Sequence, residues 1–126
     1  MHIVSHAQVT PWASAHGEII YELIGRGAST PAQGHSLAYV TLPPGQASLP
    51  HWHPVAEESY YILQGHARMV IAGEEAELSP GDAVLIPPMQ RHQIFSIGGA
   101  DLAFLAICAP AWEPANSVYA EDARAG

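Results

Sequence analysis

Residues 45–65 read GQASLPHWHPVAEESYYILQG, and their spacing governs how the chain folds. His51 and His53 stand two apart. Side chains two apart on a strand leave the same face, so both imidazoles point one way and Trp52 the other. The stretch from Pro54 to Glu57 reads as a bend. Glu58 then opens the next β-rich run, SYYIL over 59–63, which ends at Gly65. A neighbouring strand that begins at Glu58 aims its carboxylate at the place where the two imidazoles point. By alternation Tyr60 and Ile62 share the Glu58 face, which makes Tyr60 a candidate cavity residue.

The same punctuation extends outward in both directions. Runs at 18–24, 35–42, 47–53, 59–63, 66–71, 75–78, 82–86, 92–96 and 101–109 read as nine short strands. The run at 18–24 (EIIYELI) also suits a short helix, and we read it as a strand. Pro43-Pro44-Gly45, Ala72-Gly73-Glu74, Pro80-Gly81, Pro87-Pro88 and Gly98-Gly99 separate the later runs, and His16-Gly17 reads as a turn before the first. Short strands with turn signals at close spacing are the pattern of an all-β sandwich or barrel. Downstream, Gly81, Pro87 and His92 place one more imidazole at the start of a strand. Three imidazoles and one carboxylate converging inside a barrel form a donor set for a divalent transition metal.

These residues resemble the cupin superfamily. Its first motif is similar to G-x5-H-x-H-x3,4-E-x6-G, and Gly45, His51, His53, Glu58 and Gly65 fit it without a gap. Its second motif is similar to G-x5-P-x-G-x2-H-x3-N, and Gly81, Pro87 and His92 fit it. Met89 stands where the family usually has Gly, and Ser96 where it usually has Asn. Both departures fall outside the ligands that the resemblance implies, and both bear on the local turn and strand packing.

The resemblance implies a double-stranded β-helix, a small jelly-roll barrel. It implies one cupin domain over 1–126, with a barrel core at about 18–111, an N-terminal arm at 1–15 and a C-terminal tail at 112–126. The implied metal ligands are His51, His53, Glu58 and His92. The six-residue gap to Gly65 selects Glu58 over Glu57. One divalent transition metal per chain (iron, manganese, nickel, zinc or copper) is implied, and no organic cofactor. Three neutral imidazoles and one carboxylate carry a net charge of about −1, or +1 with a dication, and octahedral geometry leaves two positions open.

The chemistries implied are oxygenation, isomerisation, epimerisation, decarboxylation and lyase reactions on a small molecule. A histidine-rich set suits iron or manganese, which places a dioxygenase-type oxidoreductase first. A sugar or sugar-phosphate isomerase or epimerase comes next, and a non-catalytic metal-dependent binding or sensor module is the alternative. The family is commonly dimeric, and three Trp with an apolar tail supply adhesive surface for a homodimer.

Composition removes other classes. Twelve acidic residues against four arginines and no lysine give a net charge of −8. Nucleic-acid binding needs cations that displace phosphate counterions, and anionic membranes need basic patches, so neither partner fits. The missing lysine removes Schiff-base chemistry and the P-loop. Cys108, the single cysteine, forms no intrachain disulfide and reads as a small buried hydrophobe. The N-terminus lacks a basic segment followed by an apolar one, and no apolar run is long enough to span a bilayer, so a cytoplasmic location is expected.

The remaining polar residues are weaker candidates. Arg68 would pair with an anionic substrate if its strand turned it inward. His35 and His66 read as surface strand residues, Arg91 and Gln93 as barrel rim, and His2 and His6 as part of an exposed arm. Gly34-His35-Ser36-Leu37-Ala38 imitates a nucleophile elbow but lacks its last glycine and any following helix. Trp112 and Tyr119 are expected to pack the tail on the barrel or on a partner, and 121–126 to fray.

Overall fold

Burial along the strand Glu57–Gln64 divides the molecule into an inside and an outside. Glu58, Tyr60 and Ile62 are buried, whereas Glu57, Tyr61 and Leu63 are exposed. The computed structural model describes residues 1–14 and 17–119. Among them, eleven strands run in the order β1 (Trp12–Ala13), β2 (Ile19–Ile24), β3 (Ser36–Leu42), β4 (His51–Trp52), β5 (Glu57–Gln64), β6 (Ala67–Ile71), β7 (Glu74–Leu78), β8 (Ala83–Ile86), β9 (His92–Ser96), β10 (Leu102–Ala109) and β11 (Val118–Tyr119). They form two antiparallel sheets, β1-β2-β3-β10-β5-β8 and β11-β4-β9-β6-β7. The fold is the all-β double-sheet jelly roll that the sequence predicts. No described helix is long and apolar enough to cross a membrane.

Each of the nine expected runs carries a strand. The run at 47–53 shortens to β4, with Ala47 making an isolated bridge to Phe95. Two strands were not expected. β1 lies in the segment read as an N-terminal arm and pairs with β2, and β11 lies in the tail and pairs with β4. Two residues carry too little periodicity to announce a strand, and their partners decide the matter. His6 also departs from the reading of a free arm, since its ring lies 4.3 Å from those of Tyr21 and Tyr39. His16 of the expected turn, and 121–126, lie outside the described residues.

The register of β10 positions the site. Along its inner face, Phe104 lies opposite Val40 and Ile62, Ala106 opposite Ala38 and Tyr60, and Cys108 opposite Ser36 and Glu58. The first row belongs to the core, which gathers Val40, Leu42, Ile62, Met69, Ile94 and Phe104 with their neighbours. The second row carries two alanines where the core carries larger residues. Small side chains leave space above the core, and the third row closes it with polar groups. One end of the barrel is therefore packed and the other hollow.

Two turns show where sequence limits the backbone. Gly65 has φ +80°, and a Cβ there would lie 2.6 Å from the Asp101 carbonyl oxygen and 3.0 Å from the Leu102 Cα. Met89 has φ +70°, a left-handed conformation that favours glycine, at the position where the motif usually has Gly. Its backbone N–H donates to the His53 carbonyl at 2.8 Å, which keeps the turn in place despite the strain. Gly65→Ala should destabilise the fold by about 3 kcal/mol, through the left-handed backbone and the backbone clash together. Gly81→Ala, at φ +93° with open space around it, should cost only about 1 kcal/mol. Chemical denaturation of both variants measures the difference, and equal losses would refute the role given to the Asp101 contact.

Candidate metal centre

Two short strands and one long strand bring four side chains to the hollow end. His51 opens β4, and His53 follows that strand by one residue. His51 lies directly across from His92 of β9. Glu58 enters from the other sheet, on β5. All four are buried: His51 is 9% exposed, His53 3%, Glu58 6% and His92 1%. One donor atom from each lies within 4.8 Å of the others, so the four form a group able to hold one metal ion.

Backbone carbonyls set the direction of the imidazoles. Nδ1 of His51 donates to the Leu49 carbonyl at 2.8 Å, that of His92 to Gln90 at 3.0 Å and that of His53 to Asn116 at 3.1 Å. A carbonyl only accepts, so each Nδ1 carries the hydrogen, and a neutral ring then presents a bare lone pair at Nε2. The Nε2 atoms of His53 and His92 each lie 3.3 Å from Glu58 Oε1. All three atoms are buried without a hydrogen-bond partner. Lone pairs facing a carboxylate oxygen inside a protein repel one another unless a cation lies between them. A divalent ion fits that demand, and imidazole with carboxylate is a suitable donor set for it.

The electrostatics agree with this reading. Burial, helped by the nearby His92 ring, lowers the His51 pKa to about 4, which keeps that ring neutral at pH 7. Burial also acts to lower His53, but the Glu58 carboxylate outweighs it and the pKa is raised above 6.5. Burial acts to raise Glu58, and the His53 and His92 rings outweigh it, bringing its pKa down to about 2. Burial and the charge of Glu58 push the Tyr60 phenol well above 10 and the Cys108 thiol up to about 12, so both stay protonated.

A cavity of about 320 Å³ opens in front of the cluster. His51, His53, Glu58 and Tyr60 line it, and His92 lies behind them. Arg68, the other pocket candidate, does not reach it. Arg68 alternates with buried Ala67 and Met69, so its side chain is exposed, with the guanidinium 4.3 Å above the Phe95 ring. Ser36 lines the cavity, but it accepts the Trp112 N–H and opens strand β3, with no helix after it. His35, His66 and Arg91 are exposed, and Gln93 donates to the Ser48 carbonyl.

The tail holds what the sequence did not announce. Tyr119 stacks on His51 with ring centres 5.2 Å apart, Asn116 supplies the carbonyl for His53, and the Ser117 hydroxyl lies 3.2 Å from the same Nδ1. Trp112 lines the cavity as well. Aromatic residues in a Pro-rich tail were the available signal, and they do not say which face they cover. Cys108 was legible by counting in twos from Phe104.

A jelly roll with three imidazoles and a carboxylate at its hollow end defines the class of protein. The cupin domain model matches residues 38–108. An uncharacterised protein of Methanocaldococcus jannaschii, MJ1618, is 35% identical over 103 residues, which is 82% of each chain. The tetracenomycin polyketide synthase protein TcmJ of Streptomyces glaucescens is 30% identical over 71 residues, 56% of this chain and 48% of that one. Among solved structures, the oxalate decarboxylase of Lactobacillus farciminis, in a formate complex, superposes with a TM-score of 0.81 at 26% identity, covering 94% of this chain and 36% of the other. The chain belongs to the cupin family.

His53→Ala and His92→Ala should each lose a stoichiometric metal while the barrel stays folded, because the core lies in other rows. Glu57→Gln, on the exposed face of β5, should retain it. Elemental analysis beside circular dichroism separates the outcomes, and unfolding of both histidine variants would mean that the cluster holds up the fold. Binding must displace the proton that His53 holds below its raised pKa. Metal affinity should therefore be level at alkaline pH and fall by about tenfold per unit as pH drops below that value.

Proposed function

We propose that this chain is a metal-dependent cupin enzyme for a small organic molecule with two adjacent oxygens, and that its reaction is a dioxygenase-type oxidation. The observation that carries the reading is the cluster of buried, inward-facing donors at the wall of a cavity. His51, His53, Glu58 and His92 would hold the metal. When bound, a divalent ion supplies a Lewis acid and, if redox-active, a route for electrons to dioxygen. The chain's own groups do the rest. Val40, Phe104 and the two alanines exclude water from one wall. Tyr60 is a neutral phenol beside Glu58 and a hydrogen-bond donor for a substrate oxygen.

Among the described residues no arginine lines the cavity, and the chain has no lysine. That weighs against a sugar phosphate, and against a dianion such as the substrate that the decarboxylase's name implies. The likeness to TcmJ, a polyketide synthase protein by name, is consistent with an oxygen-rich organic ligand. A lyase or isomerase is the second reading, favoured by the neutral Tyr60 as a hydrogen-bond donor to negative charge that develops on a substrate oxygen.

The test is a set of chelating phenols and enediols offered to protein loaded with iron or manganese. Oxygen consumption that vanishes in His53→Ala supports the oxidation. Substrate loss without oxygen uptake would move the assignment to a lyase or isomerase. Metal-dependent binding without turnover would make the chain a sensor or binding module. We also propose a homodimer, since Tyr61, Leu63, Leu85 and Ile107 stand exposed on neighbouring strands of the outer face. Light scattering should then give twice 13.4 kDa, and a mass near 13.4 kDa would exclude it.

A further inference from the structure

The cavity has a second end. Glu22 of β2 lies opposite Ala38, Ala38 opposite Ala106, and Ala106 opposite Tyr60. Glu22 and Tyr60 are thus three strand spacings apart, about 14 Å along the sheet, with only two alanines between them. Inward-reaching side chains shorten that span to the length of a small monocyclic ligand. Glu22 lines the wall, and its Oε1 accepts the Gly27 N–H at 2.9 Å, which holds the carboxylate in place. Glu18 and the rings of Trp12 and Trp112 line the same cavity, the two rings 5.7 Å apart and tilted by 36°.

No described arginine pairs with Glu22. Arg26 pairs with Glu113 at 3.4 Å and with the Ala111 carbonyl, Arg68 lies over Phe95, and Arg91 is exposed outside the cavity. Carboxylates beside indole faces attract compact organic cations, through charge and through the ring quadrupole. At the opposite end, the buried His53 Nε2 and Glu58 Oε1 have no hydrogen-bond partner. The cavity therefore offers a ligand two unlike ends.

We infer that the ligand of this cavity carries a protonated amine, or a comparably compact organic cation, at the end away from its chelating oxygens, with Glu22 as the residue that selects it. This deepens the proposed function and rests on it for the orientation of the ligand. Glu22→Gln keeps an acceptor for the Gly27 N–H and removes the charge.

Three probes share one chelating head and differ in charge: catechol (neutral), dopamine (cationic) and 3,4-dihydroxyphenylacetate (anionic). They are titrated calorimetrically, without oxygen, into protein loaded with redox-silent zinc. Dopamine should bind about tenfold tighter than the anion, and Glu22→Gln should bring the two within about twofold while leaving catechol unchanged. The inference falls alone if catechol binds but the anion matches dopamine, or if the preference survives Glu22→Gln. Catechol binding that ignores zinc would instead sink the chelation reading. Failure of all three probes to bind would overturn both.

Discussion

Three backbone carbonyls decide what the hollow end of this barrel can be. By accepting from Nδ1 of His51, His53 and His92, the carbonyls of Leu49, Asn116 and Gln90 give each ring a fixed tautomer. The consequence is electrostatic. Buried lone pairs on His53 and His92 then face Glu58 Oε1 at 3.3 Å with no hydrogen available between them. Protonating one ring answers this in part, which is why the His53 pKa rises. A divalent cation answers it for all the donors at once. The arrangement is stable enough to persist because the cost of burying these groups is met by a barrel whose core is packed elsewhere.

That division of labour runs through the strand register. Large apolar residues fill the rows of Leu42, Ile62 and Phe104, and alanines fill the next row at 38 and 106. A larger side chain at either alanine would fill the space in front of Tyr60. The same strands therefore supply both stability and volume, with one change of residue size between them. The tail completes the site from outside the motifs. β11 pairs with β4, and so carries Tyr119 onto His51 and the Asn116 carbonyl onto His53.

Much of this was legible in the sequence, for physical reasons. Period-two alternation and frequent Gly and Pro revealed the strands, and a two-residue step placed His51 and His53 on one face. Glu58, Tyr60 and Ile62 followed from the same step. Arg68 could not be oriented, because Ala67, Met69 and Val70 around it are all apolar and alternation is weak there. β1 and β11 are too short to show a period, so their aromatic residues read as generic packing. Met89 marks the opposite case. Its sequence disagreed with the motif, and the backbone kept the left-handed turn all the same, at the expense of strain. Ser96, the other departure, leaves its buried hydroxyl without a partner.

The acidic character of the cavity would act on a bound metal as well as on a ligand. Glu18 and Glu22 share one hollow with Glu58, and low-dielectric walls carry their field further than water would. A dication would be drawn in by Glu58 and by Glu22, and the charge it left at the cluster would be partly offset by Glu22 on the far wall. An anionic ligand would gain from the metal and lose to Glu22, whereas a neutral chelator with a distant amine would gain at both ends. A carboxylate outside the ligand set would thereby bias both which ions accumulate at the site and which molecules follow them.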